Sequence, residues 1–244
     1  MLSPKLYLGH RCFANVSREP PEQDQESLWR SFCSTKPDTL KLVKHFMDQL
    51  FRKLGQKYKR AKEEADKWHT LQTHFLSLFS SAVSILERLP ILMDNSNYGV
   101  LEKVENMAND LPAKQLETLE SLFSALHKTL RDFEKIKDAF KRLWHESSQL
   151  LKAEKLQSTS SQAQQRFGLG PSLNECIEGL ENLFTMHKDE YQLKVASVNA
   201  LSYNSNLNDM VALQSIIADQ PSIPPHEVQF IFDFFYAGYS GHGT

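Results

Sequence analysis

Apolar side chains recur along this chain at steps of three and four, and the stretches that keep the rhythm are long. From Asp38 to Leu89 the series Met47, Leu50, Leu54, Tyr58, Ala61, Ala65, Trp68, Leu71, Phe75, Phe79, Ala82, Leu86 and Leu89 never breaks step. The segment holds no proline and one glycine, Gly55. Such spacing marks the seam of a helix packed on other helices. Thr35 or Asp38 can cap its start, and Pro90 is placed to stop it. A helix of that length spans about 78 Å at ~1.5 Å per residue. Either it is kinked, near Gly55, or the molecule is elongated.

A short helix is expected from Tyr98 to Asp110, entered through Asp94-Asn95-Ser96-Asn97, with Leu111-Pro112 ending it and opening the next. The second long stripe reads Leu116, Leu119, Phe123, Leu126, Leu130, Phe133, Lys137, Phe140, Trp144, Ser147 and Leu151. If the connection folds back, this helix lies antiparallel to the first. Ser158 to Gly170 is a polar, Gly-ended linker. Ser172 and Glu175 then form a capping-box pattern after Pro171. The third long helix carries Leu173, Cys176 or Ile177, Leu180, Leu183 or Phe184, His187, Tyr191, Val195, Val198 and Leu201. Asn204-Ser205-Asn206 breaks it, and a shorter helix holds Leu207, Met210, Val211, Leu213, Ile216 and Ile217. After Pro221 and Pro224-Pro225, His226 to Tyr236 makes a last helix, with Gly238 placed to cap it.

No stretch alternates with period two for long enough to propose a sheet, so the expected fold is all-α, an elongated antiparallel helical bundle with long coiled-coil-like helices. Its expected organisation is a disordered leader over residues 1–37, a long helical hairpin over 38–157 and a flexible linker over 158–170. C-terminal helices over 171–238 then pack on the hairpin, and 239–244 form a disordered tail. Trp68, Phe75, Phe123, Phe133, Phe140, Trp144, Leu180 and Tyr191 are expected in the core.

Composition sharpens this. The chain has 244 residues and a net charge of -2, which excludes an overall basic nucleic-acid binder and a very acidic tail protein. Only Gly55 and Gly99 stand between Arg11 and Phe167, too few for phosphate-cradling loops. Cys12, Cys33 and Cys176 are odd in number and widely spaced, which speaks against a disulfide framework or zinc site and for a reducing compartment. The first 18 residues carry Lys5, Arg11 and Arg18 and no acid, but Pro4 and Gly9 break any long transit helix there. No run of 18 apolar residues occurs, so no membrane insertion is expected.

The chemistry of a catalytic site is not written in the chain. It contains no GxxxxGK[ST], GxGxxG, HExxH or GxSxG motif. His69 and His74 face different sides of one helix, His187 sits in an apolar stripe as a core histidine would, and Glu63, Glu64 and Asp66 lie on an exposed face. No catalytic, cofactor-binding or metal-ligating residue is therefore expected, and no enzyme. Two features suit binding. Arg52, Lys53, Lys57, Lys59, Arg60 and Lys62 form an acid-free basic run, a candidate contact for RNA or an acidic partner. They spread around more than half the helix, and only Tyr58 is interleaved for stacking. Near the C-terminus, Phe230, Phe232, Phe234, Phe235 and Tyr236 surround a short helix, and no Lys or Arg follows Lys194. A helix apolar all round is either buried or a docking element, and its acidic neighbours suit a basic partner.

With the helices in order, the chain resembles the casein kinase II substrate family, whose members include a small ribosome-maturation factor that partners AAA+ ATPases of the spermatogenesis-associated type. The resemblance runs from Leu40 to Phe235. It rests on Trp68 and the Leu78-to-Leu89 stretch, the Leu119-to-His145 helix, Pro171-Ser172, Tyr191 and Lys194, Leu207 and Leu213, and Phe234-Phe235. The family's basic cluster is thinned here to Lys194. What the resemblance implies is a non-enzymatic subunit of nucleus and cytoplasm, acting beside an AAA+ ATPase on the pre-ribosome as the large subunit matures. From the residues alone, a helical tether in membrane trafficking or the cytoskeleton, or an RNA-binding module built on the basic run, remain alternatives.

Overall fold

The computed structural model describes residues 37–153, 164, 166, 170–203 and 206–240. The expected leader, most of the expected linker and the end of the expected tail lie outside them. The chain divides into two compact units, Met1–Met47 and Asp48–Thr244. The described residues of the first unit are helical throughout. The second unit holds the packed core and every site described below.

Five α-helices and one 3-10 segment make up the described regular structure: α1 Pro37–Met93, the 3-10 segment Asn95–Lys103, α2 Met107–Ala153, α3 Leu173–Ala200, α4 Leu207–Asp219 and α5 Pro225–Ser240. No strand occurs among the described residues, and the fold is an all-α bundle. The helix starts follow local chemistry. Ser172 accepts the Glu175 N–H at 3.2 Å while the Glu175 carboxylate accepts the Ser172 N–H at 2.7 Å, the full capping box. Asn206 caps α4 by accepting the Asn208 N–H at 2.9 Å.

Four boundaries differ from expectation. Pro90 lies inside α1, which continues to Met93. The carbonyls freed at that end find new donors: Asn97 Nδ2 donates to the Ile91 carbonyl at 2.9 Å and Tyr98 Oη to the Leu92 carbonyl at 2.8 Å. Tyr98 to Asp110 is not one helix, because Gly99 takes φ 50° and Asn106 φ 61°. Pro112 does not open α2 but lies in its second turn, where it withholds one N–H from the Ala108 carbonyl. Gly238 does not cap α5 but lies within it.

Side-chain contacts give the directions. Going up α1, Lys57 pairs with Glu146 of α2 and Trp68 and Phe75 meet Phe133. Further along, Leu89 and Pro90 share a groove with Leu116 and Glu117. The partner numbers fall as α1 rises, so α1 and α2 are antiparallel. Against α3 they rise, from Tyr58 with Cys176 through Trp68 with His187 to Phe75 with Lys194, so α1 and α3 run parallel. The core between the three holds Trp68, Phe75, Phe79, Leu119, Leu126, Phe133, Phe140, Leu180 and Leu183. One 18-residue stretch of α1 is apolar enough to cross a membrane by composition alone, but Phe75, Phe79, Ala82, Leu86 and Leu89 spend that character on the bundle.

The expected core is corrected in two respects. Phe123, Trp144 and Tyr191 are only half-buried. In α3 the buried row is His187, Glu190, Lys194, Ser197 and Val198, so the stripe expected through Tyr191 and Val195 is one residue out of register.

Candidate functional site

Three long helices leave three seams between them. The α1–α3 seam is closed by α4 and α5. Trp68 Nε1 donates to Gln220 Oε1 at 2.9 Å, and Gln72 Nε2 donates to the Ile217 carbonyl at 2.8 Å. Tyr58 is the socket for α5: its ring stacks on Phe235 at 3.8 Å and meets Phe232 edge-on at 6.3 Å, while its hydroxyl donates to the Cys176 carbonyl at 2.7 Å. Burial holds the Tyr58 hydroxyl in its protonated form well above the usual range. A Cβ at Gly179 would collide with that hydroxyl and stand 3.2 Å from Ile231, so the close approach of the three helices requires glycine there.

Under this cover lies a buried ionic cluster. Lys194 Nζ donates to Glu190 Oε1 at 2.9 Å, and both side chains are 0% exposed. The ammonium faces the rings of Trp68, Phe75 and Phe133 at 5.8, 5.6 and 5.4 Å. Glu190 Oε2 accepts the Ser222 N–H at 3.2 Å, which ties the α4–α5 turn to α3. His187 stacks on Phe140 at 4.1 Å, meets Trp68 edge-on at 4.9 Å, and places Nδ1 2.7 Å from the Leu183 carbonyl. Its pKa is pushed down to about 4, first by burial and then by the Lys194 charge, which keeps the imidazole neutral. Burial likewise lowers Lys194, against the pull of Glu190. Lys194, the lone remnant of the basic cluster in the resemblance, is thus unavailable as a surface contact.

The C-terminal aromatics divide between core and surface. Phe232 and Phe235 are buried on Tyr58. Phe230 is 65% exposed and stacks on half-buried Phe234 at 5.6 Å, beneath the Arg166 guanidinium at 5.7 Å from the Phe234 ring. Tyr236 is half-buried. Phe230 and Phe234, one turn apart, are the part of the set that a partner can reach. A second exposed apolar surface, Ile91, Met93, Val100, Leu101 and Val104, lies around the α1–α2 connection.

The basic run is also divided. Lys53, Lys57, Arg60, Glu64, Lys67, Leu71 and His74 follow at steps of four and three and share one face of α1. That face meets Asp132, Lys135, Ala139, Arg142 and Glu146, at the same steps on α2. Between them is an open groove of about 680 Å³. Its lining includes Leu71, Ile136 and Ala139, and among the described residues it comes from α1 and α2 alone. Its acids are engaged: Glu146 with Lys57, Glu64 with Lys67 at 2.7 Å, and Asp132 with Lys135 at 2.7 Å. Arg52, Lys59 and Lys62 are exposed on the other faces of α1.

Among the described residues no three His, Cys, Asp or Glu side chains converge as metal ligands would. Cys176 is buried and its thiol pKa is raised by burial, which suits packing rather than nucleophilic work. Sequence reasoning missed Gly179, whose one signal is a glycine inside a well-capped helix of a glycine-poor chain. It also missed the Glu190–Lys194 pair, which is visible only as an i, i+4 spacing on the row of His187.

No curated protein matches the chain. A family model described as "Ribosome biogenesis protein C1orf109-like" matches residues 48–238 and so begins where the second compact unit begins. The match covers most of the sequence and nearly every packed residue of the bundle, and the chain belongs to the C1orf109-like family of ribosome biogenesis proteins.

Proposed function

We propose that this protein is a non-enzymatic adaptor in maturation of the large ribosomal subunit, working in the nucleus and cytoplasm beside an AAA+ ATPase as in the casein kinase II substrate family it resembles. The observation that carries the reading is family membership across the whole second unit, residues 48–238. The interior supports it: its polar groups, His187, Glu190 and Lys194, are consumed by packing and hydrogen bonds inside the bundle. What remains for partners is surface, and the exposed Phe230–Phe234 pair is the docking element. It is flanked by Glu227 and Asp233, and the Arg166 guanidinium over Phe234 is already paired with Glu175, so its partner offers an apolar notch with a basic rim.

Affinity purification of the tagged chain from cells, read by mass spectrometry, tests this. Pre-ribosomal proteins and an AAA+ ATPase are expected with the wild type. Phe230→Asp is expected to lose the ATPase while melting at the same temperature. Recovery of coat or motor subunits instead would make the chain a trafficking or cytoskeletal tether.

A further inference from the structure

Six cations spread around a helix look like a solvated face, but the fold regroups them. Arg142 of α2 lines the open groove, Arg60 of α1 stands one turn before its Glu64, and Lys53 and Lys128 continue the same two faces toward opposite ends of the seam; all four are exposed, and Asp132, one turn from Lys128, is held by Lys135. We propose that this α1–α2 seam is a track for the phosphodiester backbone of RNA, an inference that rests on the ribosome-biogenesis reading.

Several features point to phosphate. The cations stand two turns apart on α1, Lys53 and Arg60, and about four turns apart on α2, Lys128 and Arg142, so an extended polyanion can meet them all where a single small anion cannot. Both walls contribute, so a strand lying between them is neutralised from two sides. The acids of the groove are already held by Lys57, Lys67 and Lys135 and do not oppose it. Arg60 and Arg142 bring planar forks that match two phosphate oxygens at once; they match a carboxylate equally, so the poly-glutamate competition below decides between the two. The floor, Leu71, Ile136 and Ala139, carries no aromatic ring, and the lining offers one imidazole, His74, too few rings to stack successive bases. Contact is therefore to backbone and independent of sequence. The α1–α3 seam is unavailable, since α4 and α5 fill it and bring only acids.

The test is fluorescence anisotropy of the full chain with a labelled RNA of about 20 nucleotides, single-stranded or duplex, across a salt series. Four phosphate contacts predict a log–log salt slope of about -3 to -4. Arg60→Gln with Arg142→Gln is expected to weaken binding roughly tenfold and to halve that slope. Arg52→Gln with Lys59→Gln removes the same charge from another face and is expected to change affinity less than about twofold. Thermal melts of both pairs check folding, and Lys53→Gln with Lys128→Gln provides a second track variant. Equal weakening by the control pair, a slope near zero, or poly-glutamate displacing RNA at equal charge would overturn the proposal. Affinity purification of the Arg60→Gln, Arg142→Gln chain separates this from the adaptor reading, since its protein partners depend on other surfaces and are expected to remain.

Discussion

Glu190–Lys194 on α3 and Glu64–Lys67 on α1 are the same chemistry one helical turn apart, at 2.9 and 2.7 Å. The first is sealed beneath α4 and α5, its ammonium among three rings and its second carboxylate oxygen bound to the Ser222 N–H. The second stands on the open α1–α2 seam, with Lys67 largely in water. Burial removes water from both ions of the first pair, so each becomes costly without the other. Water screens the second, whose contribution is small beside that of the first. What distinguishes them is the cover. Where the C-terminal helices lie, a polar row becomes core; where they do not, similar residues stay free to bind.

The largest test of that contrast is Lys194→Ala. It leaves Glu190 buried and alone and is expected to cost about 3–5 kcal/mol by urea denaturation, whereas Lys67→Ala is expected to leave the midpoint nearly unchanged. Replacing both members, Glu190→Leu with Lys194→Met, is expected to recover much of the loss. The same division runs through α5. Phe235→Ala, which empties the Tyr58 socket, is expected to cost about 3–5 kcal/mol, and Phe230→Ala under about 0.5 while weakening partner capture.

A pH series sharpens the contrast on the sealed side. His187 has a folded pKa of about 4, below its unfolded value of 6.5. As pH falls through that window the unfolded chain takes up the proton first, so stability is full above about pH 6.5 and declines toward pH 4. The total is on the order of 3 kcal/mol, and the slope vanishes in His187→Phe. A smaller effect is expected of Gly179→Ala, about 1–3 kcal/mol, because Tyr58 and Ile231 must give way. Tyr58→Phe in the same chain, which removes the hydroxyl that collides, is expected to reduce the alanine's cost.

How much of the structure is legible in the sequence depends on polarity. The rows of α1 and α2 are legible because their buried positions are mostly aromatic or aliphatic: Trp68, Phe75 and Phe79 against Phe133 and Phe140. The row of α3 slips by one residue, because Glu190, Lys194 and Ser197 fill core positions and sequence rules assign such residues to solvent. Pro90 reads as a stop because nothing local reveals that the helix runs on for three residues and that Asn97 and Tyr98 satisfy its last carbonyls, those of Ile91 and Leu92. The C-terminal aromatics are legible as a group. Their division is not, since which side meets Tyr58 depends on the path of α5. The basic track is hidden for a related reason: half of it lies on α2, and only folding joins Arg60 to Arg142.

That α4 and α5 turn one seam into core and leave another as surface is tested most directly by two double-mutant cycles, Glu190 with Lys194 and Glu64 with Lys67, each partner replaced by Ala and stability read by urea denaturation. A coupling of about 3 kcal/mol or more is predicted for the first pair and no resolvable coupling for the second. Equal couplings, or a Lys194→Ala chain less than about 1 kcal/mol below the wild type, would contradict it.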